Sequence, residues 1–111
     1  MFNFFKTTPK KHQDIPSGEF NDLVIQANTV VIDVRSTGEF SSGKIRGARN
    51  VDIMSSLFAN SVKNLPKDKT YLLYCRSGNR SSQACEVMEN LGFEHLKNLK
   101  GGFGSWPFET V

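Results

Sequence analysis

Hydrophobic and polar positions along this 111-residue chain follow two alternating patterns. Residues 29–34 and 70–74 are nearly continuous runs of β-branched, aromatic and aliphatic side chains, as expected for strands buried on both faces of a sheet. Around them, apolar residues recur at helical spacing. Ser17 offers an N-cap to a helix whose inward face is Phe20, Leu23, Val24 and Ala27, ended by Asn28. Ser36 and Glu39 fit a capping box that opens a short helical turn around Phe40. Residues 44–51 read as a turn feeding a short strand near 49–51. Leu57, Phe58, Val62 and Leu65 predict a helix closed by Pro66. Ala84, Val87, Met88 and Leu91 predict another, ending at Gly92. Residues 95–98 form a last strand. Gly101 and Gly102 then make a turn before a C-terminal piece in which Trp106 is expected to pack on the core.

Strand and helix alternate from end to end, which predicts an α/β fold with a mostly parallel sheet and helices on both faces. Residues 1–14 lack periodicity and read as a flexible N-terminal extension, leaving one domain over residues 15–111. In such sheets, ligands bind at the carboxyl ends of strands. That rule points at Asp33 to Arg35 and at Cys75 onward, both on one edge of the sheet.

Composition narrows the function classes. Charged residues make up 23% of the chain and hydrophobic residues 38%, ordinary values for a globular protein. The net charge of +3 is unevenly placed. Lys6, Lys10 and Lys11 outnumber Asp14 in the extension, so the remainder lacks the concentrated basic face that nucleic acid requires. No apolar run approaches the roughly 20 residues of a membrane span. Asn3 and Lys6 also interrupt the apolar start, so no export signal is read and a cytoplasmic location is expected. Cys75 and Cys85 do not stand at zinc-finger spacing from His12 or His95. A reducing compartment also disfavours a disulfide. Any cysteine chemistry is therefore thiol chemistry.

The segment Cys75-Arg76-Ser77-Gly78-Asn79-Arg80-Ser81 joins a buried strand to a helix. A cysteine there faces unsatisfied N–H groups at a helix start, which favour the thiolate. Arg76 and Arg80 add positive charge in the same sense. Gly78 permits a turn whose successive amides point inward to hold an anion, and Ser81 or Ser82 can cap the helix. Cys85, in mid-helix beside Ala84 and Met88, reads instead as core.

With these residues in order, the chain resembles the single-domain rhodaneses. The resemblance is carried by Asp33-Val34-Arg35, Glu39-Phe40, the stretch Gly43 to Asn50, Tyr74 to Ser81, Leu91-Gly92-Phe93, and Gly101-Gly102 with Trp106. It covers about residues 15–108. It implies a sheet of about five parallel strands and a cycle in which Cys75 takes sulfur from a small-molecule donor such as thiosulfate. The resulting persulfide passes it to cyanide or a thiol. Loop amides from Arg76 through Ser81 would hold the persulfide, and Asp33 and Arg35 would brace the neighbouring strand end. Lys44 stands where many relatives carry histidine. No metal or organic cofactor is needed, because sulfur transfer is thiol exchange chemistry.

Other readings stay open beside this one. A partner-specific persulfide carrier, handing its sulfur to a protein, has the same residues. In a redox-sensing or binding module, as inactive family members can be, the cysteine is mostly absent, whereas this chain keeps it. A cysteine phosphatase fits less well. Such enzymes read Cys-x5-Arg, whereas here the arginine falls one position early, at Arg80, and the tighter loop is cramped for a phosphoryl group.

Overall fold

The computed structural model describes residues 11–111. In chain order the elements are β1 (Gln13–Ile15), α1 (Ser17–Val24), β2 (Thr29–Asp33), α2 (Thr37–Ser42) and β3 (Arg49–Asn50). There follow α3 (Phe58–Val62), β4 (Thr70–Tyr74), α4 (Asn79–Asn90), β5 (Leu96–Leu99) and a 3₁₀ turn at Phe103–Ser105. The five strands form one sheet in the order β1-β5-β4-β2-β3, and every pairing is parallel.

The two apolar runs become the sheet's central strands, and alternation along them divides the core. Tyr71 and Leu73 of β4, with Val30 and Ile32 of β2, pack against Phe58 and Val62 of α3 and Ala84, Cys85 and Met88 of α4. Leu72 and Tyr74, with Val31, face the other way onto Phe20 of α1. Trp106 closes that second layer, its ring edge-on to Phe20 at 5.8 Å. The sheet is thus covered on both faces, as a parallel sheet requires.

Several local boundaries differ from those the sequence suggests. Ser17 is the first residue of α1, and Pro16 holds the N-cap position without a side-chain cap bond. α1 stops at Val24. Ala27 is exposed, and Asn28, at φ 69°, makes the left-handed turn into β2. The predicted capping box of α2 is present: Ser36 Oγ accepts from Glu39 N at 3.2 Å, and Ser36 N donates to Glu39 Oε1 at 3.2 Å.

The largest correction is at the N-terminal side. The expected extension over residues 1–14 ends too late, because Gln13–Ile15 pairs with β5 and His12 is buried. Three residues are too few for a period to show in the sequence. What fixes them is distant: β5 pairs with the strand, and just before it Glu89 of α4 accepts from His12 N at 2.7 Å, with His12 Nδ1 2.5 Å from the same carboxylate. The rest of that extension, residues 1–10, lies outside the described residues. No helix of the described residues is long and apolar enough to cross a membrane.

Candidate active site

Parallel register brings the two sequence signals together. Asp33 stands opposite Tyr74 in the β2–β4 pair, so Val34-Arg35 and Cys75-Arg76 leave the sheet side by side at its carboxyl edge. Cys75 follows β4 directly and α4 begins at Asn79. Only three residues lie between, and the chain can turn this tightly because Gly78 takes φ 106° as the left-handed N-cap of α4. The cap is therefore a backbone device, and Ser81, expected as a possible cap, sits inside the first turn of the helix.

The turn folds over the cysteine sulfur. Cys75 Sγ accepts from Gly78 N at 3.1 Å, from Ser81 N at 3.4 Å and from Ser81 Oγ at 3.3 Å. The Ser77 amide adds a further bond. Burial pushes the thiol pKa up, but the Ser81 hydroxyl and the amides of Ser81, Gly78 and Ser77 outweigh it, and the net displacement is downward. The sulfur is thus held by aimed N–H and O–H donors, which favour its negative form. Cys75 has no exposed surface.

The two loop arginines separate. Arg80 was expected to lend its charge to the sulfur, yet it forms a two-pronged ion pair with Glu39 of α2, at 2.9 and 3.1 Å. That pair holds the Glu39 carboxyl at about 2, well under its usual range, chiefly through the bond from Arg80. Arg80 remains within electrostatic reach of Cys75, but Glu39 offsets most of its charge. Arg76 is exposed. It lines a cleft of about 500 Å³ whose other walls include Phe103, Glu39, Ser42 and Gly43. Ser77 and Asn79 are exposed on the loop, while Gly78 and Ser81 are buried.

Beside the loop, Asp33 and Arg35 make a buried ion pair. Arg35 Nε lies 3.0 Å from both carboxylate oxygens, and Nη2 donates to Asp33 Oδ2 at 2.7 Å and to Gly43 O at 2.6 Å. The guanidinium lies over the Phe103 ring at 4.3 Å and the Tyr74 ring at 5.5 Å. One side chain thereby ties β2 to the segment after α2 and to the 3₁₀ turn.

The glycine pair after β5 underlies the site. Phe103 N donates to Cys75 O at 2.8 Å and Gly104 N to Arg76 O at 2.9 Å. A Cβ on Gly102 would stand 2.3 Å from Arg76 O, so only glycine lets the two chains meet there.

The sequence assigns Glu39 a capping-box role but not its pairing with Arg80, and it assigns Asn98 no role. Asn98 Nδ2 donates to Gly78 O at 3.2 Å, and its Oδ1 accepts from Ser81 Oγ at 2.5 Å. The signal was faint: β5 reads Leu-Lys-Asn-Leu, and nothing in the sequence marks Asn98 rather than Lys97 as the buried polar residue. Among the described residues, no group of three or more His, Cys, Asp and Glu side chains is placed to hold a metal ion.

Residues 17–108 match the sequence profile of the rhodanese-like domain. The chain belongs to the rhodanese-like family. Among its relatives is the thiosulfate sulfurtransferase GlpE of Pseudomonas putida, 33% identical over 87% of this chain and 90% of that protein. A sulfurtransferase of Allochromatium vinosum is 33% identical over 71% of this chain and 72% of its own length. The crystal structure of a rhodanese-related protein from Thermoplasma volcanium superposes with a TM-score of 0.77 at 29% identity, covering 90% of this chain and 98% of that one. The shared fold accounts for the single parallel five-stranded sheet and its flanking helices.

Proposed function

We propose that this rhodanese-like protein is a sulfurtransferase in which Cys75 carries the sulfur as a persulfide. The observation that carries the reading is the ring of donors around the Cys75 sulfur, which stabilises an anion where a nucleophile is needed. In the first half-reaction, the Cys75 thiolate attacks the outer sulfur of thiosulfate. The new Sγ–S bond forms as the donor's S–S bond breaks, and sulfite leaves with the electron pair. In the second, cyanide or a thiol attacks the terminal sulfur and Cys75 returns to the thiolate. The cycle is balanced without an added oxidant, reductant, metal or organic cofactor.

Thiosulfate is a dianion approaching an anionic sulfur, so repulsion must be offset. With Arg80 engaged by Glu39, Arg76 is the loop cation left to do so, at the rim of the open cleft. Because Cys75 is fully buried, the sulfur must meet its donor by a small shift of the loop towards that cleft. Asp33 and Arg35 act as braces, holding the strand end against which the loop rests. The relatives named for sulfur transfer support this assignment.

The direct test is thiocyanate formation from thiosulfate and cyanide. Turnover should rise with pH to a plateau, with a midpoint below the ordinary thiol value of about 8.5, because the Cys75 surroundings lower its pKa. No thiocyanate at any pH would refute the thiosulfate reading. Arg76→Ala should lower kcat/KM for thiosulfate by roughly 10- to 100-fold, the worth of a charge-assisted hydrogen bond. Added salt should reproduce part of that loss in the unaltered protein. An Arg76→Ala protein equal to the parent at low salt would transfer the rim role to another residue.

Cys85 is fully buried on the inward face of α4 with Ala84 and Met88. Cys85→Ala should keep most of the transfer activity while losing about 1 kcal/mol of stability in denaturant unfolding. Arrest after a single turnover would instead make Cys85 a resolving thiol.

A further inference from the structure

Given Cys75 as the sulfur carrier, we propose that Asn98 is a positioning residue that competes with the Cys75 sulfur for the one hydroxyl hydrogen of Ser81, and so sets the balance between free thiolate and persulfide. Ser81 Oγ stands 3.3 Å from Cys75 Sγ and 2.5 Å from Asn98 Oδ1. Both acceptors are within reach, but a hydroxyl has a single hydrogen to give. Ser81, Cys75 and Asn98 are all buried.

The Asn98 amide cannot escape the competition by turning over. Its Nδ2 donates to Gly78 O at 3.2 Å and to Asp14 Oδ1 at 3.1 Å. A flipped amide would aim its carbonyl at two acceptors, so Oδ1 is fixed towards Ser81. Gly78 and Asp14 thus set the direction in which Asn98 accepts.

The three states of Cys75 draw the hydrogen differently. As a thiol, the sulfur is a weak acceptor and the Ser81 hydrogen goes to Asn98. In the thiolate, full charge on Sγ draws the hydrogen across, leaving Asn98 Oδ1 and Ser81 Oγ at 2.5 Å with nothing between them. Once the Sγ–S bond has formed and sulfite has left, the charge moves to the terminal sulfur. Sγ is then neutral, and the hydrogen returns to Asn98. Asn98 therefore disfavours the free thiolate against both the thiol and the sulfur-loaded form. It keeps the nucleophile reactive and favours loading.

Arg80 acts electrostatically on the same sulfur, and the charges around the loop must be separated from this effect. Arg80 from α4 is paired with Glu39 of α2, with Asp52 acting on Arg80. Asp33 and Arg35 are paired at the end of β2, and Arg76 lies on the loop itself. Substituting Asn98 leaves those groups in place. The exception is Asp14 of β1, which loses its Nδ2 donor, and Asp14→Asn is its control.

The measurement is the pH dependence of Cys75 alkylation by iodoacetamide, made in the Cys85→Ala background so that one thiol reacts. Asn98→Ala should raise the thiolate fraction on the rising limb by about threefold to tenfold, the worth of one ordinary hydrogen bond. Ser81→Ala should lower that fraction. With Ser81 already replaced, Asn98→Ala should change nothing further, a result that mere loosening of the loop does not give. Asp14→Asn should leave the curve in place. The equilibrium between persulfide plus sulfite and thiolate plus thiosulfate should move towards the thiolate by the same factor in Asn98→Ala. Asn98→Leu, which keeps the branched shape of asparagine in a bulkier side chain without an acceptor, should match Asn98→Ala and serves in its place if the alanine protein does not fold. An unchanged or lowered thiolate fraction in the Asn98 variants overturns the proposal, as does a shift that persists without Ser81. Alkylation does not depend on sulfur transfer, so a parent protein that forms no thiocyanate would refute the proposed function while leaving this test intact.

Discussion

Cys75→Ser should abolish thiocyanate formation, to the level of the uncatalysed reaction, while leaving the fold intact. Sulfur and oxygen differ little in size here, and the amides of Gly78 and Ser81 can bond a hydroxyl as they bond Sγ. The chemistry does not survive the exchange. These donors lower a thiol pKa that starts near about 8.5 and so raise the thiolate fraction. An alkyl hydroxyl starts many units higher, and the same bonds leave it protonated. Nor does an oxygen form the sulfur–sulfur bond that stores the transferred atom. Thermal unfolding close to that of the parent, with no turnover, is the expected pair of results. Substantial thiocyanate production by Cys75→Ser would place the sulfur on another residue.

Gly102→Ala should be the most damaging change outside the loop, although Gly102 touches no reacting atom. Gly102 takes φ 66° and ψ −170°, a region essentially confined to glycine. An alanine held there is strained by about 1–3 kcal/mol. Its Cβ would meet the Arg76 carbonyl oxygen at 2.3 Å and Ser77 N at 2.6 Å. Those are backbone atoms of the loop that closes over Cys75, so relief comes only by pushing that loop outward. A displacement of about 1 Å at a reacting centre can cost on the order of 100-fold in rate, and turnover should fall at least that far. Steady-state kinetics together with a melting curve check both parts. Normal turnover with normal stability would show that the loop moves more freely than its contacts imply.

The sequence was most legible where one residue type has one physical use. The runs at 29–34 and 70–74 read as buried strands and supply β2 and β4, and the Ser36–Glu39 capping box is a local device that forms as predicted. Cys75 was legible because a cysteine between a strand and a helix, with arginines and glycine, has few other uses. Features set by distant partners were hidden. β1 is three residues long and is held by pairing with β5, and His12 just before it is anchored on Glu89 of α4. Arg80 and Glu39 are 41 positions apart, so Arg80's charge looked available to the sulfur until the fold brought its partner beside it. The serines suggested a side-chain cap for α4, but the turn needed the conformation that Gly78 supplies, and Ser81 was left to face the sulfur. Asn98 stands beside Lys97 in β5, and only the fold shows which of the two polar side chains is buried.

The central claim is that the transferred sulfur rests on Cys75, and peptide mass spectrometry tests it most directly. After incubation with thiosulfate and removal of excess, the peptide containing Cys75 should gain the mass of one sulfur atom, and the peptide containing Cys85 should not. Cyanide should remove the added mass and release one equivalent of thiocyanate. A sulfur atom found on Cys85, or no adduct on Cys75 in a protein that still forms thiocyanate, would contradict the account.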